Sequence, residues 1–174
     1  MTEFSVVSTE RLFEVLDIIT PITWPADATT VIPDIVAKLG WSITKGNPGV
    51  DVDVETNLEV NFRLATFLIG DKALAEGELL EISFWITDVL PKGEDSTCVG
   101  LAFRQILKDL TGRFGKARGK SSRKWWDLPT GGRLVVSESP EDVTIDLLSL
   151  AYANIERGEA RHGISENRVL GEDE

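Results

Sequence analysis

Three carboxylates alternate with valines in Val50-Asp51-Val52-Asp53-Val54-Glu55. Alternation places Asp51, Asp53 and Glu55 on one face of a strand. There they make either a cation site or an acidic contact patch. Same-face neighbours on a strand lie about 7 Å apart, so without loop ligands they do not converge on one ion. Nothing nearby in the sequence supplies the burial that would split two carboxylate pKa values for acid–base catalysis. The row therefore reads as the wet face of an antiparallel sheet or, with Glu59, as a surface for a basic protein.

The second charged feature is of opposite sign. Residues 113–126 hold Arg113, Lys116, Arg118, Lys120, Arg123 and Lys124, no acid, and the pair Trp125-Trp126. Basic residues beside aromatics can bind single-stranded nucleic acid or another phosphate. The Gly115-Lys116-Ala117-Arg118-Gly119-Lys120-Ser121 run superficially resembles a phosphate loop. It fails on spacing, since Phe114 stands where the first glycine belongs, and on context, since it should follow a strand and open a helix. The six basic residues then read as a solvated connector, with anion binding as the alternative.

Other chemistry has little to work with. His162 is the single histidine, so a multi-histidine zinc site within the chain is excluded and a serine triad would have to use it. Cys98 is the single cysteine, which excludes an internal disulfide framework. It falls near the start of a predicted helix with no histidine base beside it, and reads as a small packed residue. No metal ligand set, cofactor motif or catalytic set is expected. A carboxylate enzyme would need two facing carboxyl groups in a concave pocket.

The five tryptophans are Trp24, Trp41, Trp85, Trp125 and Trp126. Trp85 shares the polar side of its strand with Glu81, Ser83 and Thr87, where it needs a covering segment or a partner. Neighbouring residues on a strand face opposite ways, so only one of Trp125 and Trp126 belongs to the main core. The other is covered or exposed. Trp85 and one of that pair are candidate interface anchors.

The elements that position these groups follow from periodicity. Ser8 caps a helix over 9–19 with Leu12, Val15, Leu16 and Ile19 as its stripe, stopped by Pro21. Pro33 suits the first turn of a short helix through Leu39, closed by Gly40. Residues 50–55 and 59–64 are predicted to pair as a hairpin across a three-residue loop, Thr56-Asn57-Leu58. That register sets Val54 against Val60, Val52 against Phe62 and Asp51 against Arg63. A strand is predicted over 79–89 and a helix from Asp95 or Ser96 to Phe114, ended by Gly115. Strands over 123–128, 133–138 and 143–149 follow, then a helix over 150–160. Short connections demand antiparallel pairing. The expected fold is a two-layer α+β domain over residues 1–164, with an antiparallel sheet of about six strands covered on one face by helices. Residues 165–174 are expected to be an acidic, frayed tail.

The chain has 174 residues, 42% of them hydrophobic, and a net charge of −11. One domain of this size can bury a full core. Its charge opposes nucleic acid and anionic membranes at long range and attracts basic partners. Met1-Thr2-Glu3-Phe4 lacks a secretory leader and no apolar run is long enough to span a bilayer, so cytoplasmic residence is expected.

Leu39-Gly40-Trp41, the run from Trp126-Asp127-Leu128-Pro129 to Gly131-Gly132, and the stretch from Leu147-Leu148-Ser149 to Glu156-Arg157-Gly158 resemble uncharacterised small acidic actinobacterial proteins. The resemblance implies no activity. By analogy it suggests an immunity-type neutraliser of a toxin, with a secretion-type chaperone as the alternative. The expected function is non-enzymatic binding of a basic protein through Asp51, Asp53, Glu55, Glu59, Trp85 and Trp125 or Trp126. Oligomeric state is open.

Overall fold

The structure is a computed structural model and describes residues 3–163; the predicted tail over 165–174 lies outside the described residues. Helix α1 spans Thr9–Ile19, with the Ser8 hydroxyl accepting from the Arg11 amide and Leu12, Val15, Leu16 and Ile19 buried. Helix α2 spans Ala28–Leu39. It starts earlier than Pro33 suggests, because Asp27 caps it and accepts from the Thr29 amide. Gly40, at φ +70°, takes the left-handed conformation that ends it. Helix α3 spans Thr97–Phe114 and buries Val99, Ala102, Phe103, Ile106 and Leu110.

The strands are β1 Ser42–Asn47, β2 Asp51–Glu55, β3 Leu64–Asp71, β4 Leu74–Trp85, β5 Arg118–Lys120, β6 Arg123–Asp127, β7 Arg133–Glu138 and β8 Val143–Leu148. They form one sheet in the order β1-β2-β3-β4-β8-β7-β6-β5, antiparallel throughout. The α+β class and antiparallel sheet match expectation, with eight strands rather than about six. The chain leaves the sheet after β4, crosses through α3, and meanders back from the far edge until β8 meets β4.

The predicted 50–64 hairpin does not form. Strand β2 pairs instead with β1 and with β3, which sets Val54 against Ala65, Val52 against Phe67 and Asp51 against Leu68. Residues 56–63 make a loop closed by the Thr56 amide donating to the Arg63 carbonyl at 3.0 Å. Leu58 and Val60 in that loop are buried. Their spacing imitates a strand because both drop from the loop into the core.

Helices α1, α2 and α3 contribute to a core with the apolar side of the sheet: Val54, Phe67, Ile82, Phe84, Leu134, Val136, Ile145 and Leu147. The last helix, α4, spans Leu150–Arg161 and packs on β4 and β8. Its Glu156 pairs with Arg133, which alternates with the core residue Leu134 along β7. Helix α4 therefore lies over the opposite face and adds a partial third layer.

Candidate functional site

That opposite face is where most charged groups of the strands meet. One row across the sheet reads Asp51, Leu68, Glu81, Leu148, Arg133, Asp127. The next reads Lys45, Asp53, Thr66, Ser83, Asp146, Val135, Trp125, Arg118. A third includes Trp85, Thr144, Ser137, Arg123 and Lys120. On this face strands β5–β7 thus carry arginine and lysine with one acid, Asp127, whereas β2, β4 and β8 carry aspartate and glutamate, with Lys45 of β1 beside Asp53. The face is split by sign.

Helix α4 closes the basic half. The Glu156 carboxylate accepts from Arg133 Nη1 at 2.7 Å and from Arg123 Nη2 at 2.5 Å. Arg133 is fully buried and Glu156 is 2% exposed. Asp127 accepts from Arg133 Nε and from Arg157 Nη2, each at 2.9 Å. Burial works against the Asp127 charge, but the hydrogen bonds from Arg133 and Arg157 hold its carboxyl below the usual range. The Arg123 and Arg133 guanidiniums lie 5.5 and 5.2 Å from the Trp125 ring centroid. Trp125, Val135 and Leu148 form a small apolar cluster with Tyr152 of α4.

The acidic half has no helix over β2 and β3 among the described residues. Asp51, Asp53, Thr66, Leu64 and Leu68 are half-buried there and Glu55 is exposed. At its boundary with α4, Glu81 of β4 and Asp146 of β8 stand together on this face. Burial first, then the Asp146 charge, pushes Glu81 up to about 9. Burial also raises Asp146, against hydrogen bonds from Ser83 and Glu81 and the Arg123 charge. Both carboxyl groups are therefore harder to ionise than free ones, and the pair titrates as a unit. Further along the face Phe62 meets Trp85 edge-on, with centroids 4.5 Å apart. Phe62 is 42% exposed, so the two rings make an apolar spot beside the carboxylate row.

Four expected contact residues, Asp51, Asp53, Glu55 and Trp85, come together on this face. Glu59 does not: it lies in the 56–63 loop and lines a separate groove with Arg11, Asn57 and residues 3–8. Neither Trp125 nor Trp126 offers a surface anchor. Trp125 is buried under α4. Trp126 sits in the main core beside Phe114 and donates to the Gly115 carbonyl at 2.8 Å.

The basic residues do not form one connector patch. Residues 118–127 make the β5–β6 hairpin, tightened by Gly119 at φ +103°, where a Cβ would meet the Trp125 ring at 2.5 Å. Arg113 turns away to Asp17 and Phe13. Arg118 faces Asp127 at 3.7 Å, Arg123 enters the α4 network, and Lys124 donates to the Gly119 carbonyl. Lys116 and Lys120 are exposed. Intramolecular carboxylates thus engage Arg113, Arg118 and Arg123.

Sequence reasoning missed Glu81, Asp146, Arg133, Glu156, Asp127 and Arg157. Alternation along β4 and β8 puts Glu81 and Asp146 on the polar side, but only the β4–β8 register brings them together. Among the described residues no three His, Cys, Asp or Glu side chains group as a metal site, and no helix is long and apolar enough to cross a membrane.

With this geometry established, comparison places the chain among known sequences. Residues 10–149 match DUF6301, a family of unknown function. The chain belongs to that family. The matched region takes in α2, α3, all eight strands and nearly all of α1, and stops at Ser149, the residue that caps α4. The split face is therefore built on family strands, while the helix that closes its basic half lies beyond the match. No curated protein and no solved structure matches the chain.

Proposed function

We propose that this chain is a non-enzymatic, cytoplasmic protein-binding domain that takes a basic protein on the acidic half of its sheet, as an immunity-type inhibitor of a basic toxin would. One observation carries the reading: Asp51, Asp53 and Glu55 share with the Phe62–Trp85 pair a part of the sheet face that no described helix covers. The carboxylates raise the encounter rate and fix orientation. Affinity comes from desolvating Phe62, Trp85, Leu64 and Leu68, since aromatic anchors dominate interface energies. A net charge of −11 supports a basic partner over nucleic acid, whose phosphates it repels. The test is affinity isolation from the native host with the wild type and with Asp51, Asp53 and Glu55 all changed to Lys. A basic protein recovered by the first and lost by the second is expected. Equal recovery of the same partner by both rejects the acidic face.

A second reading has its own observation. Glu81 and Asp146 stand together across the β4–β8 seam, and two neighbouring carboxyl groups are an arrangement that acid–base catalysts use. It predicts a hydrolytic activity that Asp146→Asn abolishes. Undiminished activity in that variant removes it.

A further inference from the structure

The occupied half of the split face shows what the open half takes. Over the basic strands lies a helix carrying an acid: Glu156 of α4 reaches Arg123 and Arg133, with Tyr152 packed on Trp125, Val135 and Leu148. Over β2 and β3 the charges are reversed and no described element fills the place. We infer that the acidic half docks a basic amphipathic helix from the partner, lying beside α4 as the second helix of this layer. This rests on the protein-binding reading above and names the shape of the partner segment.

The dimensions suit a helix. Helix α4 rests on β4 and β8, and β2 lies two strands beyond β4. Two strand spacings are about 10 Å, close to the usual distance between packed helix axes of about 8–10 Å. A helix of roughly 10–12 Å diameter therefore fits between α4 and the β1 edge. Its apolar stripe would meet Leu64, Leu68 and the Phe62–Trp85 pair. Tyr152, with Val50, Leu68 and Ile69, already lines a groove of about 320 Å³ along the α4 side. Its basic positions would meet Asp51, Asp53 and Glu55 on the outer side. An extended strand is a poorer occupant, because it needs an open sheet edge and not a face. Edge strand β1 carries an irregularity between Ile43 and Lys45, and a lysine, both of which discourage pairing.

Charge also selects among sources. A second copy of the chain would place acid on acid if the same face met itself. The chain's own residues 164–174, Ile-Ser-Glu-Asn-Arg-Val-Leu-Gly-Glu-Asp-Glu, hold four acids and one base, and repel this surface. A separate basic partner remains.

The test uses the full chain, isotope-labelled, and two synthetic 18-residue probes of identical Leu/Lys/Ala composition. Each holds one central proline or the same proline moved to the first position, so that only the second forms a continuous amphipathic helix. Amide shifts are followed to 1 mM peptide. The helical probe is expected to shift Thr66, Leu68, Ser83 and Trp85, at least 10-fold more tightly than the broken probe, and to lose this with Asp53→Lys/Glu55→Lys. Equal affinity of both probes at those residues overturns the helix while leaving the binding face intact. No shift there with either probe overturns both. Shifts at those residues on concentrating the chain alone assign the face to a second copy and overturn the inference.

Discussion

Replacing Glu156 by Gln removes one negative charge where two arginines converge. The guanidinium of Arg133 is fully buried and that of Arg123 nearly so. Breaking a buried pair from one side leaves an uncompensated charge and costs about 3–5 kcal/mol. The amide keeps the shape and one acceptor, so the low end, about 3 kcal/mol, applies. At roughly 2–4 °C per kcal/mol for a chain of this length, the melting temperature should fall by about 6–12 °C. Calorimetry at pH 7 measures this. Asp127 still holds Arg133 Nε, so the sheet should survive, and hydrogen exchange should locate the lost protection in α4 and the β6–β7 hairpin. The companion variant Arg123→Met/Arg133→Met/Glu156→Leu removes all three charges of the cluster. It should return to within about 1 kcal/mol of wild type, since apolar replacement of a buried ion pair is often neutral. A Glu156→Gln loss below about 1 kcal/mol would refute the claim that this pair is withdrawn from water. So would a triple variant worse than the single one.

Other outcomes follow from the same face. A carboxyl whose pKa rises on folding keeps its proton after the unfolded chain has lost it; for Glu81, moved from 4.5 to about 9, stability is full below about pH 4.5 and falls as pH rises toward 9. The slope is up to about 1.4 kcal/mol per pH unit, and denaturant titrations should show it in the wild type and find it flattened in Glu81→Gln, which should be the more stable at pH 8. Gly119→Ala should cost about 1–3 kcal/mol, because the added methyl meets the Trp125 ring at a positive φ; an unchanged denaturation midpoint would contradict the turn geometry. Asp53→Lys/Glu55→Lys should move stability by less than about 1 kcal/mol, as surface substitutions do, so any lost binding can be read without a folding defect.

Much of the frame was legible. Helices α1 and α3 have clear apolar stripes, and Ser8 and Gly40 mark the start of α1 and the end of α2 by cap chemistry that needs no tertiary information. Strands β6, β7 and β8 lie between Pro- and Gly-bearing turns. The failures have physical causes. Strand β1, Ser-Ile-Thr-Lys-Gly-Asn, is an almost wholly exposed edge and carries no alternation to read. Leu58 and Val60 reach the core from a loop and so imitate the strand that β3 actually supplies. The carboxylate row and Trp85 were visible because period two is a local property. The Glu81–Asp146 pair and the Arg123–Glu156–Arg133 cluster were not, because they depend on which strands become neighbours. The order β4-β8-β7-β6 follows from the crossover through α3, and no single residue announces it.

The central claim is that the acidic half of the second sheet face receives a basic protein, and its most direct test is the association rate of the isolated partner as a function of ionic strength. For the wild type the rate should fall at least 10-fold between 20 and 300 mM salt, about the range over which screening shortens charge steering. With Asp53→Lys/Glu55→Lys the low-salt rate should drop to near the high-salt value. Equal rates and equal salt slopes for the two proteins would contradict the claim.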